Sequence, residues 1–298
     1  MLSGFASLLA IVVAQGSAQS PLELEQVRAW SLADDFLPSA FSYSAQALLA
    51  IDGVKRQIVV VDPHAGMSTI HVAGTSRLLA ASLTTDGGFQ LVDSLGYATA
   101  DARGVVVRRV PFEPLNARIV AAENIGDAWY YVRQGVDVRV ICDATRSPSV
   151  SAPLHLYGGA VTGHSGQTML VLSAAPPFAF YILDSQCEAV RIAGDIPLPP
   201  TRVNPLGFRT AWRVVSVVPM GDTYVVSLAD LRSDARLLAV MSTSGHLLRT
   251  KEFAHAFSIV GAVADDLMAI RMLDRRQIIQ YRAIQDPDEL PPVQGRQR

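Results

Sequence analysis

The chain is short of charge. Of its 298 residues only 17% are Asp, Glu, Lys or Arg, half are hydrophobic, and the net charge is -2. So apolar a composition excludes disorder throughout and provides for a large core. So small a net charge gives bulk electrostatics no hold on nucleic acid or an anionic membrane surface, and no nucleic-acid partner is expected. Cysteine is scarce too. Cys142 and Cys187 are the only two, too few and too far apart for a cysteine metal site. The histidines His64, His71, His155, His164, His246 and His255 form no HxH or HExxH spacing, so zinc is poorly supported. His64 and His246 fall in turns of the same kind and are expected at the surface. Beyond the N-terminus no apolar run has the length of a transmembrane helix, so no membrane span is expected.

Residues 1–18, MLSGFASLLAIVVAQGSA, read as a secretory signal peptide. Its apolar core LLAIVVA is too short to span a bilayer. Gly16 and Ala18 put small residues three and one positions before a cut after Ala18. The first residues lack the usual Lys or Arg, and the plainer reading is a buried apolar segment. Export predicts a periplasmic or secreted protein, where Cys142 and Cys187 either pair as one disulfide or stay separate, Cys142 buried and Cys187 in a turn.

What the chain does have is a repeat. Two short apolar strands joined by a tight turn recur along it, as in QALLAID-GVKR-QIVVVD and GGFQLVD-SLG-YATAD. The second strand of the pair closes at Asp62, Asp101, Asp143 and Asp184, at steps of 39, 42 and 41 residues. The next step is longer by a proline-rich insert, DIPLPPTRVNPLGFRT, from Asp195 to Thr210. An apolar run precedes each pair (RLLAASL, RIVAAENI, WRVVSVV, FSIVGAV) and another follows it (STIHVA, GVVVRRV, HLLRTKEF). Rich in Val, Ile, Leu and Ala and poor in helix caps, these runs predict strands, four to a unit. The first strands are expected to be buried on both faces and the outer ones to alternate. A period near forty residues with four strands per unit predicts the blades of a propeller, here six. The sixth unit has only three strands. The orphan segment Glu23–Leu32 supplies the fourth and so closes the ring. The domain is expected over residues 19–285, followed by a disordered polar tail at 286–298.

The stretches DGVKRQIVVVDPHAG and GGFQLVDSLGYATADARG resemble the blades of six-bladed propellers of the NHL and TolB-like type: a Gly-rich turn, a strand ending in Asp, a short turn, a second strand, then Asp with Gly after it. Arg133 and Ser173 stand where that pattern has Asp. The resemblance implies an all-β propeller. Its relatives include lactonases, receptor modules and carbohydrate- or RNA-binding members, so fold says little about function.

Candidate chemistry is thin. The repeated aspartates lie on separate blades and read as turn caps accepting backbone N–H bonds, not as a metal cluster. GHSGQ, Gly163 to Gln167, has Gln where a nucleophile elbow needs Gly and lies between two strands, so Ser165 is no nucleophile. The lactonase resemblance would call on Asp34, Asp35, Glu113, Asn116 and Asn204 as oxygen ligands of an axial metal, but ADDFLPSAF lacks that family's glutamate-bearing entry motif. No catalytic residue, metal ligand or cofactor is therefore assigned.

Charge sorts by position instead. The turns inside the central hairpins and the connections between blades share one face, and collect Lys55, Arg56, Arg133, Arg202, Arg209, Arg232, Arg275 and Arg276 amid Asp34, Asp35, Glu113, Asp230 and Asp274. The opposite face collects aspartates, with few bases. Arginine suits carboxylate or phosphate, and the plainer reading is that turns are charged because they are solvated. The expectation is a monomeric, exported binding module rather than an enzyme. Arg56, Arg133, Arg202, Asn204, Arg209, Arg232 and Arg275 would hold an unidentified anionic ligand or partner protein. The alternative is a metal-dependent lactonase-like hydrolase.

Overall fold

The computed structural model describes residues 22–44, 46–111, 118–125, 128–134, 138–142, 149–152, 160–164, 167–173, 178–183, 189–192, 196–199, 211–220, 222–230, 232–253, 257–271 and 276–284. Among them every regular element is a strand. β1 (Glu23–Ser31) comes first and alone. Four strands in meander order then make each of five sheets. The first holds β2 (Ala40–Tyr43), β3 (Leu48–Asp52), β4 (Gln57–Asp62) and β5 (Gly66–His71). The second holds β6 (Leu78–Leu83), β7 (Phe89–Asp93), β8 (Gly96–Ala100) and β9 (Val106–Pro111). The third holds β10 (Arg118–Ile125), β11 (Ala128–Gln134), β12 (Val138–Cys142) and β13 (Ser149–Ala152). The fourth holds β14 (Ala160–His164), β15 (Gln167–Ser173), β16 (Ala179–Leu183) and β17 (Ala189–Ile192). The fifth holds β18 (Trp212–Met220), β19 (Thr223–Asp230), β20 (Arg236–Ser242) and β21 (Leu247–Phe253). A last sheet has only β22 (Phe257–Val263), β23 (Asp266–Arg271) and β24 (Gln277–Ile284) from its own stretch, and β1 is its fourth strand, antiparallel to β24 from Glu23↔Ile284 to Ser31↔Gln277.

First strands neighbour first strands. β2 contacts β6, β6 contacts β10, β10 contacts β14, β14 contacts β18, β18 contacts β22, and β22 contacts β2. Among the described residues, apolar cores fill the spaces between successive sheets. Leu49, Ile51 and Ile58 of the first sheet meet Leu78, Phe89 and Leu91 of the second. Leu48, Ala50 and Val59 meet Met268, Ile270 and Ile278 of the last, under Leu32 and Phe36. That junction is close: a Cβ on Gly261 would come 2.8 Å from Leu48 Cδ1 and 2.9 Å from Tyr43 Cδ1.

Burial differs from the expectation in one respect. In the first and last sheets the second strand, not the first, is covered on both faces: β3 is buried at every residue, and β23 at all but its last. The first strand β22 alternates between buried and half-buried positions. A first strand is bonded to one neighbour only, so part of its surface is left uncovered. Four first strands also bulge against the second strand at an aliphatic residue, Leu79, Val120, Val215 or Val260. A bulge turns the strand locally and strengthens its twist. Of the outermost strands, β1, β5 and β9 are largely exposed and β21 is mostly half-buried.

Candidate functional site

Each sheet has an entry end, where its first strand begins and its second strand stops. Three second strands stop on aspartate: Asp52, Asp93 and Asp230, exposed by 3%, 0% and 2%. The other three stop on Gln134, Ser173 and Arg271. Asp93 is the most heavily bonded. The N–H groups of Leu95 and Gly96 in its own turn donate to Oδ1 at 2.8 and 3.0 Å, and the Ser76 N–H in the preceding connection donates to Oδ2 at 3.0 Å. Arg109 of β9 closes a fork on both oxygens, at 3.0 and 2.8 Å. Burial pushes the Asp93 carboxyl up, but Arg109 and the Leu95 and Ser76 N–H groups outweigh it, leaving it below the ordinary carboxylate range. Asp52 repeats the arrangement with the N–H groups of Val54 and Lys55 on Oδ1 and that of Leu37 on Oδ2. Asp230 takes the N–H groups of Arg232 and Ala211 on Oδ1 and the Ser233 hydroxyl on Oδ2. Burial raises its carboxyl, and the Ala211 N–H, Ser233 and Arg232 bring it below its ordinary value. Each buried carboxylate thus ties a hairpin turn to the chain entering a first strand.

With these carboxylates turned inward, the surface of this end belongs to other side chains. Arg56, Arg77 and Arg232 are exposed and Lys55 is half-buried. Asp34, Asp35 and Asp234 are exposed acids of the same end. Lys55 reaches both the carboxylate and the carbonyl of Asp35. That hydrogen bond, the Lys55 charge and the more distant Arg276 hold the Asp35 carboxyl below its usual range. Arg56 sits in the left-handed region at φ 58°, unusual for a residue with a side chain. Its carbonyl accepts from Val72 N–H at 2.8 Å, and its Nη1 donates to the Thr75 carbonyl at 3.4 Å.

Of the residues singled out from the sequence, Arg56 and Arg232 are therefore at the entry end. Arg133 lies within β11, paired with Ile119 and Arg139, one residue before that strand ends. Arg202, Asn204, Arg209 and Arg275 lie outside the described residues, as do Glu113, Asn116, Asp143, Asp184 and Cys187. Cys142 is the last residue of β12. His164 ends β14 and pairs with Gln167, the first residue of β15, and Ser165 lies outside the described residues. Among the described residues no three His, Cys, Asp or Glu side chains gather as a metal site. Asp35 does not fit a hard-cation ligand, since its carboxylate is already committed to Lys55. No helix of the described residues is long and apolar enough to cross a membrane.

The far end of the strands is built from turns that serve themselves. Asp62 accepts from the N–H groups of His64 and Ala65 at 2.7 and 2.9 Å, and Asp101 from those of Arg103 and Val105 at 2.9 Å each. Ser242 does the same for His246 N–H at 3.1 Å. Gly104 and Gly245 finish two of these turns at φ 82° and 85°, where a side chain would be strained. His64 and His246 are exposed, as their turn positions require. The far end is less uniformly acidic than the sequence suggests. Asp101 pairs with Arg103, and Asp266 accepts from Gln280 and pairs with Arg282. Sheet twist also carries the Asp101 turn against the neighbouring sheet, where Ala73 N–H donates to the Gly104 carbonyl at 3.0 Å.

Sequence reasoning missed Arg77 and the tying role of Asp52 and Asp93. A signal for Arg77 was present: an arginine precedes the paired aliphatics of three first strands, at Arg77, Arg118 and Arg213.

No protein-family model matches the chain, and no curated protein is similar to it in sequence. Solved structures do match it. A member of the DUF4221 family from Bacteroides vulgatus superposes with a TM-score of 0.63 at 8% identity, covering 89% of this chain and 99% of that one. A gluconolactonase from Xanthomonas campestris gives 0.55 at 12%, covering 85% and 89%. A virginiamycin B lyase from Staphylococcus aureus gives 0.52 at 9%, covering 88% and 100%. At such identities the likeness concerns the fold alone, and that fold is a β-propeller.

Proposed function

We propose that this protein is an exported six-bladed β-propeller that works as a binding module, holding an anionic ligand or an acidic partner at its entry end. Six four-stranded sheets, the cycle of contacts among their first strands and the pairing of β1 with β24 support six blades with an N-terminal strand closing the ring. One observation carries the binding reading. The entry-end carboxylates Asp52, Asp93 and Asp230 are buried on backbone N–H groups, while Arg56, Arg77 and Arg232 stand at the surface of the same turns and connections. Arginine forks suit carboxylate and phosphate oxygens. Arg202, Arg209 and Arg275 are proposed to extend this surface. Arg133 contributes from the end of β11, and Asn204 adds a neutral donor.

Binding of polyglutamate is the test. It is expected to weaken steeply with NaCl and to fall at least about tenfold in Arg56→Glu/Arg232→Glu, with a similar fall in Arg202→Glu/Arg209→Glu if the insert belongs to the site. Affinity unchanged by salt and by both reversals overturns the reading. Export predicts that the mature protein begins at Gln19, which N-terminal sequencing of the periplasmic or secreted material checks. The second reading, a metal-dependent lactonase-like hydrolase, draws on the gluconolactonase among the structural neighbours. Stoichiometric calcium or zinc in the purified protein, measured by elemental analysis, would favour it.

A further inference from the structure

Among the described residues, three of the four most exposed large aliphatic side chains are at the entry end. Val54 is 75% exposed, Leu95 59% and Leu37 57%. Exposed single aliphatics are ordinary on protein surfaces, but these three belong to one bonded patch. Val54 and Leu95 sit at the tips of the β3–β4 and β7–β8 turns, where sequence and solvation favour polar residues. The connection from β5 to β6 fastens the two turns together. Leu78 N–H donates to the Gly53 carbonyl at 3.0 Å, Ser94 N–H donates to the Arg77 carbonyl at 3.1 Å, and the Ser76 and Ser94 hydroxyls are 2.8 Å apart. Leu37 joins through its N–H on Asp52, at 3.0 Å. The turns cannot fold their aliphatics inward. Asp52 and Asp93 grip the backbone N–H groups of Val54 and Leu95, at 3.1 and 2.8 Å, and hold those residues at the tips.

The charge around this patch is mixed with a positive balance. Lys55 offsets the exposed Asp35, Arg56 and Arg77 stand at the surface against the exposed Asp34, and Asp52 and Asp93 are buried and engaged. Exposed aliphatics on tied turns, with cations in excess beside them, suit an acidic segment that also offers apolar side chains. The exposed acids Asp34 and Asp35 at its border favour a peptide, which can present both signs, over a uniformly anionic bilayer. Resting on the binding reading above, we infer that Leu37, Val54 and Leu95 form the apolar half of the site, and that the entry end takes an acidic protein segment anchored by aliphatic or aromatic side chains.

The probe is a labelled glutamate-rich peptide carrying two leucines, compared with the same peptide carrying serines in their place. Wild-type protein is expected to bind the leucine peptide at least about tenfold more tightly. Val54→Ser/Leu95→Ser should erase that preference. Equal binding of the two peptides to wild type, or a preference that survives in the double variant, overturns the inference and leaves the anionic reading standing. Loss of all anionic binding in wild type overturns both. Phosphatidylglycerol vesicles are the remaining arm. Vesicle capture that depends on Val54 and Leu95, without a peptide preference, would make this a membrane-docking face and overturn the peptide.

Discussion

The two ends of the strands both use aspartate, and they use it differently. At the far end, Asp62 and Asp101 bond to N–H groups two to four residues on, so each closes its own turn. At the entry end, Asp52, Asp93 and Asp230 bond to their own turns and also to chain 15 to 19 residues away. One side chain type does local work in water and long-range work when buried. The difference follows from shielding. A buried carboxylate is cut off from water, so protein donors must solvate it, and here they come from several segments.

The largest expected effect is at Asp93. Asp93→Ala would leave the Arg109 guanidinium and three N–H groups without their acceptor, for a loss of about 3 kcal/mol in urea denaturation. If the loss is no greater than at Asp62, the distinction between the ends fails. The pH dependence of stability follows in size. Asp93 and Asp230 have carboxyl pKa values lowered by folding. A lowered folded value stabilises fully above the unfolded value, near about 4, and the stabilisation fades as pH falls below it. Denaturation midpoints should therefore drop on acidification below about pH 4, and less so in Asp93→Asn. A midpoint that rises over that window would reverse the sign of the argument.

Smaller effects sharpen the contrast. Asp62→Ala removes a solvated turn acceptor and should cost about 1 kcal/mol or less by the same measurement. Left-handed residues offer the last comparison. Ala264 and Asp265 carry positive φ, 49° and 68°, in the far-end turn between β22 and β23, and Arg56 does so at the entry end. Ala264→Gly relieves that turn and should stabilise by about 0.5–1 kcal/mol. Arg56→Gly should relieve its turn similarly but weaken polyglutamate binding. A gain in stability with no loss of binding would show that Arg56 is strained for no ligand.

Much of the architecture was legible beforehand because it is written in local chemistry. Asp62 and Asp101 followed by Gly announced their turns, and β6, β10, β18 and β22 stand where the aliphatic runs predicted strands. The orphan strand could be matched to the last sheet because that sheet's own stretch has one strand too few. The site was less legible. Asp93 and Asp101 look alike in GGFQLVDSLGYATADARG, yet one is completely buried and the other is not. Nothing nearby in the chain marks Arg109, sixteen residues on, as the partner of Asp93. Val54 and Leu95 did carry a signal, an aliphatic residue inside a short polar turn, but its meaning needs the two turns side by side.

The amino-acid order alone determined the repeat, the strands and the turns, since each depends on residues within a few positions of one another. Only the tertiary structure decided which aspartates are buried, which strand of the first and last sheets is covered on both faces, and which aliphatics are held out at the entry end. Those outcomes depend on how one sheet packs against the next, and that packing joins residues far apart along the chain.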